Sequence, residues 1–420
     1  MSVSKTNPAV EKQYRQWVYP EPVTDLAMAI ETGGYQIADP TLVEQVLWPD
    51  RPMPPNTRIL VAGCGTHQAA WLAYTNPKSQ VLGIDLSDSS LALSQALKAK
   101  HKLDNLRLMR LDLHDVAQLG ESFDFVISTG VLHHLPEPKR GLLALKEVLA
   151  EDGVMHLMLY GRYHRAGVYM IQDALARMGV EQTQEGVNFT RMLVQSLPDW
   201  HAVQPYVRSA VDDLRWDGGV VDTFLHKQDR AYTIPQILDL VEDCGLIFQG
   251  WTDNLDYYPV GPLSGAPAIY QRVLQLPLRE QWAVTELLSQ SLGTHRFQLR
   301  KTQPANLAPF PDYVDFDGDA LLAMIPTKRP RLKIVDKGDH LEVERNWHKM
   351  ETRGRHAKAL QATDGKRSVA DIIRHCKFST ADDVQSVRDF IRLYWQLGHI
   401  TLGVAPPPKA SKRKAPKRSA

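Results

Sequence analysis

Between residues 58 and 160 short apolar runs recur with helical segments between them, and this alternation restricts the fold more than any single residue does. The runs are RILVA (58–62), QVLGI (80–84), LRLMRL (106–111), FDFVIS (123–128) and VMHLMLY (154–160). Each has the length of a strand. Their continuous apolar character is what parallel strands need when helices cover both faces of a sheet. Ser87 stands where it can cap a helix carrying Leu91, Leu93, Ala96 and Leu97. A second helix opens at Pro138 and is expected to stop at Asp152-Gly153, with the glycine left-handed. This order implies an α/β, doubly wound Rossmann-like sheet with right-handed crossovers. Ligands of such sheets bind beyond the carboxyl ends of the strands.

The rest of the chain is read around that core. Residues 1–55 form an N-terminal helical and aromatic cap, containing YRQWVYPEP (14–22) and the proline-broken WPDRPMPPN (48–56). The core domain covers 56–302, with helical insertions at 161–231 and 252–294. TIPQILDLVEDCGLIFQGW (233–251) resumes the helix–strand pattern, and HRFQLRK (295–301) alternates like a last strand. Residues 303–329 read as a linker. Residues 330–404 read as a small α+β, winged-helix-like module, in which Val384, Val387, Ile391 and Tyr394 share a helix face that packs. Residues 405–420 carry six Lys or Arg and no acid, a composition expected to be disordered.

Composition excludes several classes. No apolar run approaches the roughly 18 to 20 residues of a membrane span. The first 20 residues lack a signal peptide's apolar region. Three scattered cysteines fit neither a disulfide framework nor a zinc site, so no metal is expected and a cytoplasmic location is. The chain's formal charge is +1, which leaves −5 outside the basic tail. Nucleic acid is therefore not expected as the main ligand, contacts of the tail aside. The oligomeric state is not fixed by the sequence.

Chemistry enters at the strand ends. After the first run comes Gly63-Cys64-Gly65-Thr66-His67, a glycine turn that lets a ligand approach the backbone, with Thr66 placed to cap the next helix. The second run ends in Asp85, 20 residues after Gly65, where a carboxylate can accept from ribose hydroxyls. The third ends in Asp112, which can accept from an adenine amino group while Leu113 packs on the ring. The fourth opens into Thr129-Gly130. A dinucleotide fingerprint would need a third glycine where His67 stands, and nothing later resembles a hydride-transfer site.

The segments ILVAGCGTH, VLGIDLSDSSLALSQ, MRLDLHD and FDFVISTGVLHHLPEPKRGLLALKEVLAEDGVMHL resemble, in order and spacing, the successive motifs of class I S-adenosylmethionine-dependent methyltransferases. The resemblance covers about residues 56–160, with a return to about 301. It implies S-adenosylmethionine as cofactor. Ala62, Gly63, Cys64 and Gly65 would line its methionine part, Asp85 and Leu86 its ribose, Asp112 and Leu113 its adenine, and Thr129 and Gly130 its sulfonium side. Val61 stands where the family often has an acid, and His67 where it often has glycine. These two mark the methionine end as the part that departs from the pattern.

Methyl transfer is an in-line displacement that depends mainly on alignment and exclusion of water, with a base needed only where the acceptor must lose a proton. His134 and Tyr160 are the candidate catalytic residues, and His133 and His226 are further histidines near the expected pocket. Aromatic residues of 14–22, 160–167 and 253–259 are candidate acceptor walls. The insertions are expected to form a lid. The implied activity is methyl transfer to a small-molecule or protein acceptor, the former slightly favoured. Some protein-lysine methyltransferases share this plan of a class I core followed by helical regions. The competing reading is a non-catalytic S-adenosylmethionine-binding or regulatory protein that kept the fold.

Overall fold

The five apolar runs become five parallel strands: β1 (Arg58–Ala62), β2 (Gln80–Asp85), β3 (Leu106–Arg110), β4 (Phe123–Thr129) and β5 (Leu149–Gly161). They belong to a computed structural model in which residues 8–304 and 315–404 are described. A two-residue β6 (Ala231–Tyr232) pairs with β5. Strands β7 (Ile247–Trp251) and β8 (Thr294–Arg300) complete the sheet, β8 running antiparallel to both β5 and β7. The order is β3-β2-β1-β4-β5-β8-β7. Sequence order reverses between β1 and β4, which opens the crevice where ligands of doubly wound sheets sit. Ile59, Leu60, Val61 and Ala62 are fully buried in β1. Each large apolar side chain buried in this way stabilises the fold by about 1.5–3 kcal/mol.

Local signals place the helices. Ser87 caps Asp88–His101, its hydroxyl accepting from the Ser90 N–H at 3.2 Å. The helix from Pro138 stops at Val148, before the expected Asp152-Gly153 end, and Leu149 already pairs with Phe123. Strand pairing overrides the helical periodicity there. A register shift between Phe123 and Phe125 accommodates the extra residues, and a β-carbon on Gly153 would meet Phe123 O at 3.1 Å. Thr66 does not cap the next helix, Gln68–Thr75. His67 holds the cap position without a side-chain bond, and the Thr66 hydroxyl reaches Pro20 O at 3.2 Å.

The first insertion is a set of short helices between Ala166 and Phe224. They enclose an apolar cluster of their own, including Val168, Ile171, Leu175, Val187, Val220 and Phe224. The second carries helices Pro267–Leu274 and Leu278–Ser289.

Contacts divide the chain into two units, Met1–Ala38 with Pro54–Tyr313, and Asp39–Met53 with Val314–Ala420. The expected cap of 1–55 is therefore split. Residues 39–53, with helix Pro40–Leu47, join the C-terminal unit, where the Val404 N–H donates to Pro49 O at 2.8 Å. The expected linker 303–329 also contains structure: helix Ala320–Ala323 and β9 (Ile325–Lys328). A Pro- and Asp-rich composition hid this short strand, which needs a distant partner to form. The rest of that unit is β10 (Lys333–Asp336), β11 (Leu341–Arg345), β12 (His348–Thr352), helices Gly354–Ala362, Val369–His375 and Ala381–Gln396, and β13 (Ile400–Gly403). Strands β10-β11-β12 form an antiparallel sheet, and β13 pairs with β9. Val387, Ile391 and Tyr394 are buried on the long helix. The expected disorder of 405–420 lies outside the described residues. Among the described residues no helix is long and apolar enough to cross a membrane.

Candidate active site

At the carboxyl ends of β1 to β5 lies a cavity of ≈ 790 Å³. Gly63, Cys64, Gly65, Asp85, Leu86, Asp112, Leu113, Thr129, Gly130, His134 and Tyr160 all line it. Ala62 does not reach it and is buried in β1, where its carbonyl accepts from the Ser128 hydroxyl at 3.0 Å.

The turn after β1 is built around backbone. Gly63 and Gly65 have φ of +74° and +55°. A β-carbon on Gly63 would lie 2.2 Å from Val131 Cγ2, so glycine is required twice over, by conformation and by space. The N–H groups of Gly63 and Cys64 both donate to Ile84 O at 2.9 Å. The Gly65 N–H donates to Asp85 Oδ2 at 2.8 Å, and the Ser87 N–H to Asp85 Oδ1 at 2.8 Å. Asp85 thus ties two strand-end loops together and still presents an edge to the cavity. Burial pushes its carboxyl above the ordinary range, opposed by the N–H donors of Ser87, Gly65 and Leu86.

Asp112 caps the short helix Leu113–Leu119, accepting from the His114 N–H at 2.9 Å, and its Oδ1 lies 2.8 Å from His114 Nδ1. Thr129 donates to Gln68 Oε1 at 2.9 Å. Val61 is fully buried between Gly83 and Ile127, and so presents no polar group. His67 lies 2.8 Å from the Thr66 hydroxyl, and burial lowers its pKa to about 4, which leaves it neutral at pH 7. The part of the pocket expected to take the methionine end is therefore set by neutral groups and backbone.

The far half of the cavity is a chamber of aromatic and charged groups from distant segments. Tyr14 donates to Asp222 Oδ1 at 2.7 Å and Tyr160 donates to Asp222 Oδ2 at 3.0 Å. Burial raises both phenols well above the usual range, so both keep their protons. Tyr160 is held between His133, stacked at 3.8 Å between ring centres, and the Arg165 guanidinium, 3.7 Å from the ring centre. Arg165 donates through its two terminal nitrogens, to Asp229 at 3.2 Å and to the Tyr206 hydroxyl at 2.9 Å, while its Nε has no hydrogen-bond partner. Burial keeps His133 neutral.

His134 and His226 stack at 3.9 Å, and Gln228 fixes them both. His134 Nδ1 lies 3.0 Å from Gln228 O, so Nδ1 carries the proton and Nε2 is bare; Nε2 has no hydrogen-bond partner. The Gln228 N–H donates to His226 Nδ1 at 3.0 Å, which puts that ring's proton on Nε2, 3.4 Å from the Tyr14 hydroxyl. His134, Asp222 and His226 have donor atoms within 4.8 Å of one another. The protonated Nε2 of His226 does not suit them to a metal ion.

Sequence reasoning singled out His134, Tyr160 and His226 and named Tyr14 only within an aromatic stretch. It missed Asp222, Arg165 and Arg296, which also line the cavity. Asp222 carried a faint signal, as the lone acid inside the apolar stretch GGVVDTFL (218–225). Asp112→Ala is expected to raise the dissociation constant of S-adenosylhomocysteine about tenfold, for the loss of one charged acceptor. Its helix cap should cost about 1 kcal/mol of stability as well. Calorimetry and thermal melting measure the two separately.

Comparison with known proteins gives the site its context. Residues 54–208 match the family model of a methyltransferase domain. An uncharacterised protein of Synechococcus sp. is 31% identical over 278 residues, which are 64% of this chain and 65% of that protein's length. Trans-aconitate 2-methyltransferase of Deinococcus radiodurans is 29% identical over 255 residues, 58% of this chain and 88% of its own. Among solved structures, PKMT2 from Rickettsia typhi in complex with AdoHcy aligns over 92% of this chain and 78% of its own, with a TM-score of 0.63 at 15% identity, a likeness of fold. With the family match laid over the strand order and the glycine turn, residues 54–208 carry a methyltransferase domain, whose cofactor is S-adenosylmethionine.

Proposed function

We propose that the protein is an S-adenosylmethionine-dependent methyltransferase acting on an amine. The observation that carries this reading is the continuity of the cavity: the glycine turn and the strand-end acids share it with the Tyr14–Asp222–Tyr160 chamber. Six carboxylates line that cavity, Glu11, Asp85, Asp112, Asp213, Asp222 and Asp256, against two arginines. Such an excess suits a cationic cofactor and a basic acceptor.

The residues fit the cofactor. Gly63 and Gly65 would clear the backbone for the methionine part, Asp85 would accept from the ribose, and Asp112 with Leu113 would hold the adenine. When bound, S-adenosylmethionine supplies an electrophilic methyl group. The protein's work is alignment. Tyr14 and Tyr160 spend their protons on Asp222, so their oxygens turn lone pairs toward an acceptor's N–H groups. As nitrogen gains the methyl group it must give up a proton, and the bare Nε2 of His134 is the acceptor offered for it. The helical insertion closes the chamber, which favours a small amine over a protein side chain. The relative named trans-aconitate 2-methyltransferase also takes a small acceptor.

The test is incubation with methyl-labelled S-adenosylmethionine and cell extract, split into small-molecule, protein and RNA fractions. Label in the small-molecule fraction is expected. Label in protein would move the acceptor class. Cofactor binding with no label in any fraction would favour the non-catalytic reading.

A further inference from the structure

We infer that Arg296 forms a carboxylate-binding subsite at the acceptor end of the cavity. The inference rests on the methyltransferase reading above and deepens it.

Sheet register places the residue. Thr129 pairs with Met158 across β4 and β5, and Met158 pairs with Arg296 across β5 and β8. Paired neighbours face the same side of a sheet, so Thr129, Met158 and Arg296 form one row on the cavity side. Two strand spacings put Arg296 roughly 10 Å from Thr129. In the order β3-β2-β1-β4-β5-β8, the adenine and ribose acids follow β3 and β2, and the glycine turn follows β1. Arg296 therefore lies beyond the methionine end, on the acceptor side.

The guanidinium there makes no hydrogen bond or ion pair among the described residues. Tyr257, Tyr35 and Asp253 act on it only through their electrostatic field, while burial works against its charge. The Tyr257 hydroxyl is engaged instead with His295 Nδ1 at 3.3 Å, and its ring stacks on Trp251 at 3.9 Å. Arg165, the other cavity arginine, already has its two terminal nitrogens taken, by Asp229 and by the Tyr206 hydroxyl, and its plane lies over the Tyr160 ring. A permanently charged group held in a cavity wall with its planar fork unused is built for a bidentate anion, and carboxylate matches that fork. The backbone fixes the position, since the Thr252 N–H donates to Arg296 O at 2.9 Å. The amine acceptor would thus carry a carboxylate of its own. The other source of the same chemistry is the methionine carboxylate of the cofactor.

Calorimetry separates them, using wild type, Arg296→Gln and Arg296→Lys. The probes are S-adenosylhomocysteine, 5′-methylthioadenosine, which lacks the methionine carboxylate, and succinate added to the S-adenosylhomocysteine complex. The expected result is unchanged affinity for S-adenosylhomocysteine in all three proteins. Succinate should bind the wild-type complex, weaken at least tenfold in Arg296→Gln, and be partly retained in Arg296→Lys. A tenfold loss for S-adenosylhomocysteine in Arg296→Gln, with 5′-methylthioadenosine unaffected, would overturn the acceptor-side assignment and give the carboxylate to the cofactor. No succinate binding to wild type, together with unchanged S-adenosylhomocysteine affinity in folded Arg296→Gln, overturns it. Failure of wild type to bind S-adenosylhomocysteine at all is a different result and sinks the methyltransferase reading instead.

Discussion

Asp222→Asn is expected to lower the rate of methyl transfer by roughly 100-fold while leaving S-adenosylhomocysteine affinity unchanged. The substitution keeps the shape of the side chain. It removes the charge and replaces one acceptor oxygen with an amide donor. Both oxygens of Asp222 now accept, from Tyr14 and from Tyr160. An amide can satisfy only one of these hydroxyls as a donor, and the other must turn its proton elsewhere. That proton would point into the chamber, toward the place where an acceptor's N–H has to be received. His226 Nε2 already directs a proton at Tyr14, so the Tyr14 hydroxyl cannot simply reverse. Tyr160 should stay in place, clamped between His133 and Arg165. The loss should therefore appear in kcat with little change in melting temperature. Labelled-methyl transfer into the receptive extract fraction measures it. Wild-type turnover in a folded Asp222→Asn protein would show that the two tyrosines do not orient the acceptor.

Asp85→Ala is expected to weaken S-adenosylhomocysteine binding by about 1–3 kcal/mol, or roughly 5- to 150-fold, toward the upper end of that range. The reason for the upper end is structural. Asp85 is the anchor that receives the N–H of Gly65 and of Ser87. Its removal takes away a partner for the ribose and also frees the two loops that shape the pocket. Asp85→Asn serves as the discriminating variant. An amide retains one acceptor but must bring its NH₂ against a backbone donor, so it should also bind weakly. If both variants bind S-adenosylhomocysteine as tightly as wild type in calorimetry, the ribose lies elsewhere.

The two halves of the cavity differed in how legible they were. The glycine turn, Asp85, Asp112 and Thr129-Gly130 each sit at the end of a parallel strand, and a strand end can be read from a local apolar run. The sheet then gathers what the sequence already spaces evenly. The acceptor half has no such rule. Tyr14 comes from an N-terminal helix, Tyr160 from the end of β5, Asp222 from an inserted helix and Arg296 from an antiparallel strand. Each alone looks like an ordinary core aromatic or a solvated charge. Only the packing of the insertion over the sheet brings Asp222 to Tyr160. The same non-locality hid β9, whose partner β13 lies some seventy residues along the chain. The end of the helix from Pro138 failed as an expectation for a related reason: Gly153 lies inside β5 and is not left-handed, because pairing of Leu149 with Phe123 ends the helix first.

Gln228 acts on two rings through its main chain. Its peptide groups give opposite hydrogen placements to two stacked imidazoles, receiving from His134 and donating to His226. Nineteen of the twenty amino acids carry both groups, and only proline lacks the donor. These two hydrogen bonds therefore depend on the main chain at 228 and survive any substitution there that is not proline and keeps the backbone in place. On the proposed reading, the direction in which a proton leaves the acceptor is set by these two peptide groups.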